Sequence, residues 1–402
     1  MAISGIAGGA SGGASGGASG GASGGASGGA SGGASGGASG TSGLDAGGPV
    51  YGGVTAYSGA LSSGIISAQD GIAGFWGDDA ATYPDNDPDS PDHLFDHAPW
   101  VRSFLALNEL QSSMAIEATG GTVTMYALSG TAASPKSKPF VTVSRPDEAG
   151  FREQFKLVRA FADLRLDRFN EIHTQVGFPT PYYGTIVCLH PEKHRYTLEI
   201  ISIAQTLGAA ISMRFKRAMA CRRPDLYSPG TQPMIPTPGH PTYPAAHAVE
   251  AYIVAAILAH LFSPKLGAAD EPSADVARRV MLYRQAFRIS ENRVVAGVHF
   301  PADSIAGAGI GLALAEAMIL AAGKDMKIAV TEVSGMAIGG QAMALSDAIS
   351  VETGLRRTAA TAWLDGAMKA EIPKNKPKEI DIAQAPTLAW LWERALEELA
   401  RK

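Results

Sequence analysis

Hydrophobic and polar positions first fall into a regular period near Pro146. From there to about residue 173 ("RPDEAGFREQFKLVRAFADLRLDRFNEIH") apolar residues recur every three or four positions behind an acidic first turn, which predicts one long amphipathic helix. Residues 177–184, rich in Gly, Pro and Tyr, read as a loop. A second helix is predicted over 194–221, ended by Arg223-Pro224 because a residue before proline is steered out of the helical region. A Pro/Gly-rich loop covers 225–243, and helices follow over 244–262, 274–289 and 301–322. Without strand–helix alternation, the pattern predicts an all-α helical bundle. Short strands are expected at 122–127, 140–143 and 328–333, and a closing helix at 387–401; residues 44–75 show no period. Two strongly apolar runs, 304–323 and 248–262, carry Glu316 in the first and Glu250 with His260 in the second. A central acid is costly in a bilayer, so both are read as buried helices of a soluble protein with no membrane span.

Composition divides the chain further. Residues 10–40 repeat Ala-Ser-Gly-Gly almost without change, a tract that buries nothing and behaves as a flexible coil. The expected organisation is a disordered low-complexity arm at 1–45, an irregular region at 46–145 packing on the core, a helical core at 146–325, and an extension at 326–402. Apolar residues are 46% of the 402, ample for a core. A net charge of −5 gives no global field for nucleic acid, so any anion site is local. Cys188 and Cys221 are expected to be buried thiols and not a bridge. The N-terminus lacks the basic start and apolar stretch of a secretory signal, so the default compartment is the cytoplasm. The acidic stretch at 78–96 lacks the Gly and terminal Glu of a calcium loop and reads as solvated. His173, His190, His194 and His260 show no metal-ligand pattern.

Candidate chemistry lies in three short segments. Lys216 and Arg223 are seven residues apart, so on a continuous helix both project from one face; two such cations repel unless an anion lies between them. In Tyr243-Pro244-Ala245-Ala246-His247, Pro244 suits a first helical position, leaving the following N–H groups aimed out of the helix start, where an oxyanion binds. His247 then lies close enough to exchange a proton with that ligand. In the third segment Pro301 suggests a helix start after His299. Asp303, four residues on, can bind one ring nitrogen of His299 and leave the other free for phosphorus or a metal oxyanion, with Arg293 nearby.

Together these segments resemble the superfamily of type-2 phosphatidate phosphatases, bacterial class A acid phosphatases and vanadium haloperoxidases, whose pattern is K-x6-R-P, then P-S-G-H, then S-R-x5-H-x3-D. Lys216 and Arg223-Pro224 match the first block, Pro244 and His247 the second, and Arg293, His299 and Asp303 the third. Three residues depart: Ala245 and Ala246 stand for Ser and Gly, and Asn292 for Ser. The resemblance implies the helical bundle of that superfamily, with phosphate or vanadate held by Lys216, Arg223, Ala245, Ala246 and Arg293. It implies either a phosphatase, with His299 as nucleophile and His247 protonating the leaving oxygen, or a haloperoxidase. The haloperoxidase would hold vanadate with vanadium on His299 and oxidise halide with hydrogen peroxide. His240, five residues before the position of the family serine, resembles a second active-site histidine of bromide-oxidising haloperoxidases, and "HPTYP" looks like their approach to the second block. The expected function is therefore haloperoxidase-like with vanadate as cofactor; the alternative is a phosphomonoesterase needing no cofactor. A third reading is an inactive anion-binding or structural relative. A homodimer is expected by analogy.

Overall fold

The computed structural model describes residues 59–72, 87–88, 90–131, 133–262, 274–326, 328, 331–333 and 380–401. Its helices are α1 (Gly59–Ile72), α2 (Pro99–Ser112), α3 (Glu148–Phe161), α4 (Phe169–Thr174), α5 (Thr180–Val187), α6 (Arg195–Met219), α7 (Pro224–Tyr227), α8 (Ala246–Phe262), α9 (Ala274–Val295), α10 (Pro301–Ala321) and α11 (Pro386–Ala400). The strands β1 (Met114–Thr119), β2 (Thr122–Thr131), β3 (Ser134–Ser144) and β4 (Thr331–Val333) form one sheet in that order. The architecture is therefore a helical bundle with a small sheet, which corrects the all-α expectation. The Ala-Ser-Gly-Gly arm lies outside the described residues.

The sheet follows from local signals that the helical reading undervalued. Gly120 and Gly121, both at positive φ, make the two-residue turn that joins β1 to β2. Along β2, Val123, Met125 and Ala127 are buried in alternation. β3 buries Phe140, Val141 and Val143, and β4 adds in parallel on its far side. One continuous hydrophobic core runs from Leu94 to Ala395, so sheet, bundle and α11 share it.

α8 is the central helix, buried on nearly every side between α6, α9 and α10. α10 has the length and composition to cross a membrane, with mean hydropathy 1.8, and 83% of that window is buried against other elements here. The two helices meet at glycines. A Cβ on Gly307 would lie 2.5 Å from the Ala245 carbonyl oxygen, and one on Gly311 2.5 Å from that of Val249. Gly307→Ala is expected to lower stability by about 1–3 kcal/mol through overpacking, outweighing a helix-propensity gain of about 1 kcal/mol. A urea midpoint that stays or rises in the variant would contradict this packing.

Several boundaries differ from the sequence reading, and tertiary contacts explain them. The single helix expected over 146–173 breaks after Phe161 into a 3-10 turn, Ala162–Leu164, before α4. The break frees Arg165, whose guanidinium donates to the carbonyls of Val295 (3.0 Å), Gln232 (2.8 Å) and Thr231 (2.9 Å). Residues 180–184, expected as loop, begin α5, with Pro181 in its first turn. α1 forms where no period was read, and its residues from 63 to 72 are exposed. Cys221 is buried but Cys188 is exposed, at a left-handed helix end, which corrects the expectation of two buried thiols.

Candidate active site

The site begins where α9 ends. Gly297, at φ 80°, follows the last turn, and the N–H groups of Gly297 and Val298 return to the carbonyls of Val294 and Arg293. This is a Schellman ending, which needs a residue without Cβ strain. Pro301 then opens α10, leaving His299 in the short link between the two helices. Asp303, in the first turn of α10, accepts on Oδ2 from the Phe300 N–H (2.9 Å), His299 Nδ1 (2.9 Å) and the Thr242 hydroxyl. The Thr242 oxygen also lies 3.2 Å from His299 Nδ1. With its proton on Nδ1, His299 presents the lone pair of Nε2, 3.1 Å from Arg223 Nη1.

The cations arrive differently from the sequence argument. α6 stops at Met219 and Ala220 takes a left-handed conformation, so Lys216 and Arg223 do not share a continuous helix face. Arg223 instead sits in extended backbone just before α7. It donates to the Val298 carbonyl (2.7 Å), the His240 carbonyl (3.0 Å) and His240 Nδ1 (3.1 Å). Lys216 Nζ donates to the carbonyls of Pro241 and Thr242, each at 2.8 Å. The link 240–245 is thus held by both cations. Its other side is fixed by Tyr243, whose hydroxyl donates to the Ser144 carbonyl at the end of β3 (3.1 Å).

Pro244 is not the first helical residue, which is a further correction. The Ala245 N–H donates to the Asp303 carbonyl (2.8 Å), so α8 opens at Ala246. Among the described residues, no acceptor faces the N–H groups of Ala246 and His247. Nε2 of His247 donates to the carbonyls of Gln175 (3.0 Å) and Val176 (3.3 Å). Arg293 reaches the same segment, donating to the carbonyls of Ile172 (3.2 Å) and Gln175 (3.4 Å) and to Gln175 Oε1 (3.3 Å). Asn292, where the family has Ser, donates to Gln175 Oε1 (2.9 Å) and to Glu171 (3.0 Å).

Electrostatics tie these segments into one cluster. Lys216, Arg223 and Arg293 are 1%, 3% and 1% exposed, and among the described residues none of them forms an ion pair. Burial lowers all three pKa values, those of Arg223 and Arg293 to about 10. Burial, then the charges of Arg223, Lys216, His247 and His240, hold His299 well below its ordinary value. Burial and the charges of Lys216 and Arg223 bring His240 to about 4; burial and Arg293 bring His247 to about 3. Burial lifts Asp303 to about 6 against the bonds from Thr242 and Phe300. Lys216 and Arg223 act on Asp303 and Arg293 acts on His247, so three buried basic side chains stand among three neutral imidazoles. Such an excess is unfavourable unless an anion completes it.

These shifts have a sign for stability. Unfolded histidine protonates near pH 6.5, while folded His247 resists until about 3, so stability falls as pH drops from about 6.5 toward 3. Asp303, raised in the fold, opposes this: its contribution is present below about 3.8 and lost as pH rises through about 6. In the difference between wild type and His247→Gln the Asp303 effect cancels. The variant's unfolding free energy should vary less steeply between pH 6 and 4, by up to about 1.4 kcal/mol per pH unit. Identical slopes in denaturant titrations would show that His247 is not held neutral.

All the side chains singled out from the sequence, namely Lys216, Arg223, His240, His247, Arg293, His299 and Asp303, thus lie in one connected cluster beside Ala245 and Ala246. Sequence reasoning missed Thr242, Gln175 and Glu250. Thr242 stood inside the "HPTYP" segment and carried a signal, a hydroxyl beside the second block. Gln175 and Glu250 carried none.

Fold and site together are a helical bundle with buried basic side chains gathered around a carboxylate-fixed histidine. The model of the PAP2 superfamily matches residues 198–327, which include Lys216 through Asp303, and the chain carries a domain of that superfamily there. That superfamily joins type-2 phosphatidate phosphatases and haloperoxidases, which supports an enzyme of phosphatase or haloperoxidase type. No curated protein matches the chain.

Proposed function

We propose that this protein is a vanadate-dependent haloperoxidase-type enzyme that oxidises halide with hydrogen peroxide. The observation that carries the reading is the set of buried basic side chains about His299: Arg223 beside its Nε2 lone pair, Lys216 acting on the same ring, and Arg293 beside His247. The donor set fits a tetrahedral oxyanion on that nitrogen. Lys216, Arg223, Arg293 and the N–H groups of Ala246 and His247 would hold its oxygens, and His299 would supply the one protein–metal bond. Bound vanadate supplies an electrophilic centre that activates hydrogen peroxide toward halide. The chain's own part is electrostatic and acid–base. Asp303 keeps the proton of His299 on Nδ1, and Thr242 helps to fix both groups. His247 is neutral while the cations stand unbalanced; an anion offsets Arg293 and Lys216 and raises its pKa, enabling it to take and return a proton.

His240 favours this reading over hydrolysis through its resemblance to the second active-site histidine of bromide-oxidising haloperoxidases; here it bonds the same guanidinium that faces His299. His240→Ala leaves Lys216, Arg293 and the ring of His299 in place. It is expected to retain vanadate affinity within about threefold, a change of under 1 kcal/mol, while halide preference or peroxide dependence shifts. Loss of vanadate binding in this variant would place His240 under the anion and not beside it.

The second reading is a phosphatase, favoured by the His299–Asp303–Thr242 arrangement, which suits a nucleophilic imidazole. Nε2 would attack phosphorus as the ester oxygen leaves with a proton from His247; water would then release phosphate. The test assays purified protein with and without added vanadate, following bromide oxidation by peroxide in one arm and phosphoester hydrolysis in the other. Vanadate-dependent oxidation supports the proposal. Hydrolysis that vanadate inhibits, with a phosphohistidine at His299, replaces it with the phosphatase.

A further inference from the structure

One buried acid beside the cluster is used by neither reaction. Glu250 lies one turn beyond His247 on α8, is 2% exposed, and among the described residues neither of its carboxyl oxygens has a hydrogen-bond partner. Its side chain packs over Gly208 of α6, where an added Cβ would stand 3.6 Å from Glu250 Cγ. The charges acting on it are Lys216 from α6 and Arg293 from α9, two of the three cations that lack an ion pair. Asp303 of α10 acts on Lys216 and not on Glu250; among the described residues α11 brings no charge to bear on it.

We propose that Glu250 is the internal counter-ion of the anion site: in alkaline solution it is ionised while the site is empty and takes up one proton when an anion fills it. The inference rests on the anion-site reading above. An oxyanion and an ionised Glu250 satisfy the same two cations, Lys216 and Arg293, and each therefore disfavours the other. Burial already lifts the carboxyl to about 8 against the pull of Lys216 and then Arg293. Below that pH Glu250 is protonated and leaves both cations to the ligand. Above it the empty site neutralises itself, and a ligand must drive a proton back onto Glu250. Lys216 could imitate this by losing its own proton as pH rises, so the test separates the two groups.

The probe is molybdate, a tetrahedral dianion that does not itself titrate across the range, with affinity measured by calorimetry from about pH 7 to about pH 9.5. Wild type should weaken about tenfold per pH unit above about 8, and Glu250→Gln should show no such slope. A flat wild-type profile overturns the proposal, as does an unchanged slope in Glu250→Gln, which would assign the proton to Lys216. Absence of molybdate binding by wild type at every pH overturns the anion-site reading itself. If Glu250→Gln does not fold, infrared difference spectra of wild type decide. Adding molybdate near pH 9 should produce the carbonyl band of a protonated carboxyl, and a saturated site without that band overturns the proposal.

Discussion

His299→Ala is expected to lower turnover by at least about 10⁴-fold while leaving the fold and much of the anion affinity intact. The ring presents its Nε2 lone pair between Arg223 and the carboxylate-fixed Nδ1, so either reaction loses its bond to vanadium or phosphorus. The surroundings depend on it less. Arg223 keeps its bonds to the carbonyls of Val298 and His240, and Asp303 keeps those from Thr242 and Phe300. The three buried cations remain, and the variant should still bind phosphate or molybdate. The measurement is turnover beside calorimetric binding of phosphate. Activity within about tenfold of wild type would remove His299 from the chemistry.

Asp303→Asn is expected to cost about 10³–10⁴-fold in turnover by a different route, as when the orienting carboxylate of a catalytic triad becomes an amide. Asp303 Oδ2 now accepts three donors, one of them His299 Nδ1. An amide nitrogen placed there would donate to Nδ1 and force the ring proton onto Nε2. That nitrogen would then face Arg223 donor to donor, with no lone pair to offer. The substitution also removes a negative charge that acts on both Lys216 and Arg223, so oxyanion affinity should hold or tighten as turnover falls. Turnover and affinity falling together would mean that Asp303 maintains the pocket's shape and not the tautomer.

The two predictions rest on parts that were legible in the chain to different degrees. The third segment was legible because its geometry is local. Gly297 and Pro301 punctuate the end of α9 and the start of α10, and four residues fix the reach from Asp303 to His299. Lys216 and Arg223 reached the site for a reason other than the one their spacing offered. Ala220 breaks the helix, and the carbonyls of the 240–242 link, far in sequence, decide where both cations point. The start of α8 was misplaced for a similar reason, since the bond from Ala245 to Asp303 is invisible to local rules. The break at Phe161 serves three carbonyls bound by Arg165, none of them a neighbour in sequence. Glu250 looked like an ordinary polar position in an apolar run, and only its burial next to Lys216 and Arg293 gives it meaning. The sheet had partial signals, in β-rich runs at 122–127 and 140–143, but β1 is marked only by the paired glycines after it.

Equilibrium titration of the purified protein with orthovanadate shows whether the buried basic side chains about His299 hold a tetrahedral oxyanion. Saturable binding of one vanadate per chain, displaced by phosphate, is expected. Arg223→Met should weaken it by about 10²-fold or more, since a buried charge partner is lost. Failure of wild type to bind vanadate at about millimolar concentration, or binding that Arg223→Met leaves unchanged, would contradict it.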